Sequence, residues 1–295
     1  MELINYVKIT NMEQIKQNPI LENKKDIFLL GGNDLEMYQI EKRLGRAGKE
    51  FVNRNLQWGA KIDDYIDIVQ KILEEGNTPI AIELGGADKI KGVVDIDHHN
   101  EKFDRPASII QVINLLGRKT TIIDEMIAAN DNGYIPGMES KMESYREEFE
   151  KRYSVKKFEE TKKKLIELIR KKDREMQGVT EEMEKEAEEA INNVENGPNG
   201  MVIVRINGSK PSPVTDRLFS TWLNGKQNLI VVCKSLEENK DVYYFGYGNI
   251  CKEIKEKYSG WGGGTGYGQK DLVGFGGASV ANPQEVINFI INKNN

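Results

Sequence analysis

Cysteine, histidine and long apolar runs are scarce in this chain of 295 residues. Its two cysteines, Cys233 and Cys251, are too few for a disulfide framework, so we expect a reducing compartment and a cytoplasmic protein. A membrane span needs about 18 consecutive apolar residues, and the sequence has no such run. The first residues show no basic flank followed by an apolar stretch, so no signal peptide is expected either.

An excess of positive charge is also missing. The net charge is −5 and the sequence pI is about 5.5, which argues against a general grip on long nucleic acid, because that binding depends on neutralising many phosphates. A short or compact phosphate substrate stays compatible with an acidic protein, since a single pocket can be locally positive. The hydrophobic fraction of 38% and the charged fraction of 30% are typical of a globular protein large enough for two domains.

Residues 26–138 alternate short apolar segments with helical patterns. DIFLLGG from Asp26, PIAIELGG from Pro79 and GVVDID from Gly92 indicate buried strands, whereas the spacing after Asp63 and after Ala107 predicts helices. Strands that alternate with helices favour a parallel sheet covered by helices. Ligands of such sheets bind beyond the carboxyl ends of the strands.

The chain changes character after residue 138. Residues 139–198 are highly charged, with apolar residues at helical spacing, which favours two or three amphipathic helices; a coiled-coil surface for a partner is the alternative. MVIVRI, NLIVVC and VYYFGY then indicate strands, and a last helix begins at Pro283. We therefore predict an α/β protein with three parts: an N-terminal parallel-sheet domain (1–138), a charged helical connector (139–198) and a smaller C-terminal α/β domain (199–295).

The two histidines of the chain are adjacent, and they follow an aspartate at the end of a predicted strand: Asp97, His98 and His99. A lone histidine is more often a surface or core residue than a ligand. Here, however, imidazole and carboxylate groups are concentrated at the sheet edge where sites are built, and together they suit Mn, Zn or Fe better than Ca. The sequence thus predicts a metal site at this strand end.

Further acidic residues follow other predicted strands or turns: Asp34, Glu36, Glu83 and Asp131. Taken singly, each has an ordinary explanation as a turn or helix-capping residue, and Asp34 in particular is placed to cap a helix that begins after it. Taken together with the histidine pair, they predict a cluster of metal ligands.

VDIDHH, followed by PASIIQVINLLG, resembles the signature and following helix of the DHH phosphoesterase superfamily, which includes RecJ-type exonucleases, nano-RNases, cyclic-dinucleotide phosphodiesterases and family II pyrophosphatases. The third motif of that superfamily is intact here as Asp97-His98-His99. Its first motif corresponds to the segment 32–36, its second to Glu83 and its fourth to Asp131. The glycine-rich loop of its accessory substrate domain corresponds to the segment 262–265.

The resemblance implies metal-assisted hydrolysis of a phosphoester with one or two ions, Mn²⁺ or Mg²⁺. It implies these metal ligands: Asp34, Glu36, Glu83, Asp97, His98 and Asp131. It implies a catalytic group of Asp97, His98 and His99, in which His99 is either a second ligand or a donor to the developing charge. It implies a substrate-binding loop of Gly262, Gly263, Gly264, Thr265 and Gly266, although a turn or bulge explains such glycines equally well.

The chain also departs from the motifs, because Gly32 and Thr265 stand where the superfamily carries histidine, and Glu36 and Glu83 stand where it carries aspartate. Three functions follow from this pattern. The first is a phosphodiesterase acting on a nucleotide or short oligonucleotide; the second is a catalytically degenerate nucleotide-binding or regulatory protein; the third is a structural protein whose charged helices bind a partner. No membrane partner is expected, and a second copy of the chain is a candidate partner.

Overall fold

The computed structural model describes residues 24–99, 102, 104–222, 228–235, 238–264 and 266–294. The amino-terminal segment 1–23 lies outside the described residues, and so does the expectation that it holds no signal peptide. Thr265, predicted as part of the substrate-binding loop, also lies outside them. The chain forms two compact units: the first comprises residues 1–33 and 39–120, and the second comprises residues 34–38 and 121–295.

The first unit is built on a four-stranded parallel sheet. Along the chain come β1 (Asp26–Gly32), α1 (Leu35–Arg46), β2 (Glu50–Leu56), α2 (Ile66–Glu74), β3 (Thr78–Ile82), β4 (Val94–Ile96) and α3 (Ser108–Leu115). The first turn of α1 counts with the second unit. The strand order in the sheet is β2-β1-β3-β4, and every pair is parallel.

Apolar residues of the strands and of α2 form a core in this unit. Leu29 and Ala81 on the sheet pack with Val69 and Ile72 of α2, and all four are buried. Tyr65, fully buried, donates a hydrogen bond from its hydroxyl to the carbonyl of Leu30 at 2.7 Å. The phenol thereby satisfies its own polar group while filling the core, as a buried tyrosine must.

The second unit begins with charged helices and continues into a second sheet. Its helices before the sheet are α4 (Ile122–Glu143), α5 (Arg146–Glu150), α6 (Val155–Met176) and α7 (Glu181–Ile191). Threonine or serine caps three of them: Thr121 before α4, Ser154 before α6 and Thr180 before α7 each accept a backbone N–H of the first turn. The two or three amphipathic helices predicted for residues 139–198 fall where α5, α6 and α7 lie.

The sheet region of this unit contains β5 (Glu195–Asn196), β6 (Val202–Arg205), α8 (Ser212–Arg217), α9 (Phe219–Trp222), β7 (Leu229–Lys234), β8 (Lys240–Tyr247), α10 (Gly248–Tyr258), β9 (Trp261–Gly263), β10 (Val273–Val280) and α11 (Pro283–Asn294). The strand order is β5-β6-β7-β8-β10-β9, parallel only between β6 and β7. Val202 and Val204 belong to the core on one face, whereas Ile203 belongs to the core on the other. Burial on both faces explains the unbroken apolar runs of these strands.

The predicted fold class is confirmed: the chain is α/β, with a parallel N-terminal sheet, charged helices and a second sheet. The division at residues 138 and 198 stays a prediction. Strands β2, β5, β9 and β10 and helices α8, α9 and α10 were not predicted from the sequence. Within the part of the chain that the structure describes, no helix combines the length and the apolar character that crossing a membrane requires.

Candidate metal centre

The candidate centre of the first unit lies at the carboxyl ends of the neighbouring strands β3 and β4. Ile82 and Ile96 are paired as the last residues of these strands, so Glu83 and Asp97 begin adjacent loops. The backbone N–H of Glu83 donates to the carbonyl of Ile96 at 2.9 Å, which holds the two loops together. The parallel register therefore brings the acidic residue of one segment to the Asp-His-His segment of the next.

Glu83 has an unusual backbone conformation, with a φ of 53°. A non-glycine residue in this left-handed region is uncommon and costs on the order of 1 kcal/mol. Gly31 of β1 makes room beside it, because a Cβ at Gly31 would lie 2.7 Å from the Glu83 carbonyl oxygen. Strained residues of this kind are concentrated at functional sites, so the conformation supports a role for the Glu83 side chain.

Glu83, His98 and His99 form the donor set of the centre. The Glu83 Oε1 and His98 Nε2 atoms are 3.5 Å apart, and their side chains are only 9% and 5% exposed. The ligand-capable atoms of the three residues all lie within 4.8 Å of one another. Two imidazoles and a carboxylate fit a divalent transition metal. Glu83 and His98 are largely buried, and a buried carboxylate is costly without a charge partner, whereas the His99 side chain is 38% exposed.

Asp97 contacts the centre through His99. Its Oδ1 accepts the backbone N–H of His99 at 2.9 Å and lies 3.1 Å from the His99 Nδ1. A carboxylate at Nδ1 fixes the tautomer and the ring orientation of a ligating histidine, so that Nε2 is the nitrogen that binds the ion. In this structure Asp97 contacts His99 directly, and its assignment as a metal ligand stays a prediction.

The electrostatic setting of Asp97 favours its ionised form. Burial alone would raise the pKa of its carboxyl group, but hydrogen bonds from His99 and Lys102 outweigh burial and hold the pKa far below its usual range. Lys102 was not predicted as a site residue. The only signal for it in the sequence is a basic residue shortly after the histidine pair.

Three other predicted ligands belong to the second unit: Asp34, Glu36 and Asp131. Asp34 accepts the backbone N–H of Met37 through Oδ1 at 2.8 Å, which is the helix-capping contact anticipated as its alternative role. Glu36, in the first turn of α1, is 2% exposed, and Asp131 is partly buried in α4. Their assignment as metal ligands remains a prediction from the sequence.

The glycine-rich segment forms part of the second sheet. Gly262 and Gly263 lie in β9 and pair with β10, while Gly264 and Gly266 follow it. A Cβ at Gly262 would lie 2.5 Å from the ring of Tyr267, so close packing inside the unit requires glycine there. Packing against Tyr267 in a regular strand pair, rather than a turn or bulge, accounts for this glycine, and phosphate binding by the loop stays a prediction.

Comparison of the sequence with protein-family models gives no match, and comparison with curated proteins gives none either. Among solved structures, an uncharacterized protein from Helicobacter pylori is similar over 92% of this chain and 100% of its own, at 14% identity and a TM-score of 0.29. RecJ in complex with Mn²⁺ from Thermus thermophilus is similar over 90% of this chain and 51% of its own, at 12% identity and a TM-score of 0.43. These similarities assign the chain to no family, and the resemblance to the DHH phosphoesterases rests on the sequence motifs.

Proposed function

We propose that this protein is a divalent-metal-dependent phosphoesterase that hydrolyses a phosphodiester of a nucleotide or short oligonucleotide. The observation that carries the proposal is the convergence of Glu83, His98 and His99 at the carboxyl ends of two paired parallel strands. Carboxyl ends of parallel strands are the usual place for a ligand. The intact Asp-His-His motif in the same loop supplies the link to phosphoester chemistry.

Each residue of the centre has a distinct part in this proposal. Glu83 and His98, the most buried of the donors, hold the ion. Asp97 keeps a proton on the Nδ1 of His99, so that the unprotonated Nε2 of the neutral ring binds the ion. In the alternative role His99 is an imidazolium, whose Nε2–H donates to the developing negative charge. A divalent ion in such a site activates a water at neutral pH and polarises a phosphoryl oxygen.

The remaining predictions complete the proposal. Mn²⁺ is the first choice of ion and Mg²⁺ the second, in one or two copies. Asp34, Glu36 and Asp131 are retained as candidate ligands, and the segment 262–266 as the candidate phosphate-binding loop. We expect a cytoplasmic protein that acts on a small substrate, with a homodimer as the assembly to test.

A second candidate function is a non-catalytic nucleotide-binding protein on the same scaffold. The observation that favours it is Gly32, which ends β1 where the superfamily carries a histidine ligand. A Cβ at this position would lie 3.0 Å from the carbonyl oxygen of Gln57, so the backbone itself disfavours any side chain there. Turnover separates this function from the first.

The test is a screen of the purified protein with Mn²⁺ against mononucleotides, dinucleotides, cyclic dinucleotides and pyrophosphate. Asp97→Ala should remove nearly all turnover, because loss of one group that stabilises the transition state typically costs on the order of 10²–10³ in rate. Glu83→Gln should weaken binding of Mn²⁺, whereas the same change at the exposed Glu74 of the same unit is the matched control. Asp34→Ala should leave substrate binding largely intact.

Circular dichroism of every variant must first match the wild type. Full activity of Asp97→Ala would place the chemistry elsewhere. Tight nucleotide binding without turnover on any phosphoester would favour the non-catalytic function. Absence of bound metal, together with no thermal shift on adding Mn²⁺, would refute both the metal centre and the enzyme built on it.

A further inference from the structure

Lys102 lies between two carboxylates beside the candidate centre. Its Nζ is 2.7 Å from the Oδ2 of Asp95 and 3.1 Å from the Oδ2 of Asp97. The side chains of all three are mostly buried, at 18%, 10% and 12% exposure. A charged group with so little solvent is stable only when it is paired, so this is a close, shielded arrangement of three charges.

The arrangement follows from the strand. Asp95 lies in β4 and Asp97 directly follows the last residue of that strand, and the two side chains contact the same ammonium. Two neighbouring buried carboxylates repel each other unless a cation compensates them. Lys102 supplies that cation to both, and Arg105 adds a second contact to Asp95 alone, from Nη1 at 3.1 Å.

The ammonium of Lys102 is well suited to this place. Its Nζ contacts the Oδ2 atoms of both Asp95 and Asp97, and two carboxylates at this distance favour the charged form of an ammonium. Because the Oδ1 of Asp97 already contacts His99, the ammonium is the cation at the remaining oxygen.

We propose that Lys102 takes the place of a second divalent ion at Asp97, so that the protein holds a single divalent ion through Glu83, His98 and His99. This inference rests on the proposed metal-dependent function. An ammonium and a divalent ion repel each other, so a second ion at Asp97 has to displace Lys102. Gly32 also supports a single ion, because it offers no side-chain ligand at the end of β1.

The proposal makes Lys102 a positioning residue whose effect is seen in metal stoichiometry. Mn²⁺ alone is the probe, measured by isothermal titration calorimetry and by elemental analysis after equilibrium dialysis. The wild type should bind one ion per chain. Lys102→Met should bind a second ion, with an affinity for it at least tenfold higher than in the wild type. The matched control is Arg105→Met, which removes a cation from Asp95 only and should still bind one ion.

A second measurement does not depend on any variant. Electron paramagnetic resonance of the wild type with two equivalents of Mn²⁺ should show isolated ions. A spin-coupled pair of Mn²⁺ ions, or two tight sites by calorimetry, would overturn the inference while leaving the proposed function intact.

Two further results would also count against the inference: one from Lys102→Met and one from a wild type without bound Mn²⁺. A Lys102→Met protein that is folded by circular dichroism and still binds one ion would overturn the inference, because the second site would then be missing for another reason. A wild type that binds no Mn²⁺ would refute the proposed function, and the inference with it.

Discussion

Substitution of Asp216 should strongly lower the unfolding free energy of the second unit. Its carboxylate, on α8, accepts hydrogen bonds from Nε and Nη2 of Arg170 on α6 at 3.1 and 2.9 Å. It also accepts from Arg174 and from the hydroxyl of Tyr134. The side chains of Asp216 and Arg170 are only 7% and 8% exposed. One buried carboxylate thus joins three helices, and Asp216→Ala removes it.

The structure sets the size of the effect. Removal of one partner of a buried ion pair costs about 3–5 kcal/mol of unfolding free energy, because the other charge stays buried without compensation. Arg170 keeps Asp173 and Asn130 at its Nη1, and Arg174 keeps Glu184, so the lower end of that range applies. A loss of about 3 kcal/mol in a unit of this size lowers the melting temperature by roughly 6–12 °C.

Differential scanning calorimetry at neutral pH measures this change. The matched control is Glu167→Ala on the same helix α6, because the Glu167 carboxylate lies 3.9 Å from Lys163 with both side chains mostly exposed. Such surface pairs contribute about 0–1 kcal/mol. Asp216→Asn, which keeps one acceptor oxygen, should fall between the two. A melting temperature for Asp216→Ala no lower than that of Glu167→Ala would refute the argument that the buried network stabilises the unit.

Three further predictions concern metal, backbone packing and pH. Mn²⁺ at about 100 times its dissociation constant should add about 2.7 kcal/mol to the stability of the wild type, and EDTA should reverse the gain; equal melting curves with and without metal would contradict it. Gly137→Ala should lower the unfolding free energy measured in urea by about 1–3 kcal/mol, because the new Cβ would lie 2.3 Å from a backbone carbonyl oxygen. Gly133→Ala, where the space around the Cβ is open, should leave the unfolding free energy unchanged. Hydrogen bonds from Arg146 and Lys162 lower the pKa of Glu143 to about 2. The stability that Glu143 contributes is therefore present above its unfolded pKa and is lost as the pH falls through about 2. In Lys162→Met an NMR titration should show a higher pKa for Glu143, and an unchanged pKa would exclude the contact.

The sequence alone predicted the elements whose patterns are strong and local. The strand β1 is a short apolar run that ends in glycine, and β3 and β4 are short apolar runs followed directly by an acidic residue; burial on the sheet produces the apolar pattern directly. The same holds for the apolar spacing of α2, α3 and α6. The parallel sheet followed from the alternation of these elements, and the meeting of Glu83 with His98 followed from the parallel sheet.

Other elements could not be found because their sequences fit more than one structure. EFVNRNL of β2 carries three polar or charged residues among its last four, because it is an edge strand whose side chains are only partly buried. The glycine-rich β10 has little intrinsic preference for a strand. Its glycines are required by neighbours instead: a Cβ at Gly276 would lie 2.9 Å from the Cα of Cys251 in α10.

In the candidate centre, residue types were readable from the sequence but their contacts were not. The sequence alone shows that an Asp-His-His segment can bind a metal, and it also predicts that the segment follows a strand. The pairing of Lys102 with both Asp95 and Asp97 depends on where the chain turns after the histidines, and the capping contact of Asp34 depends on where α1 begins. Composition and periodicity thus determined the sheet and the metal-binding residue types, whereas the tertiary structure decided which charges neutralise one another, because that choice rests on distances of about 3 Å that local sequence patterns do not encode.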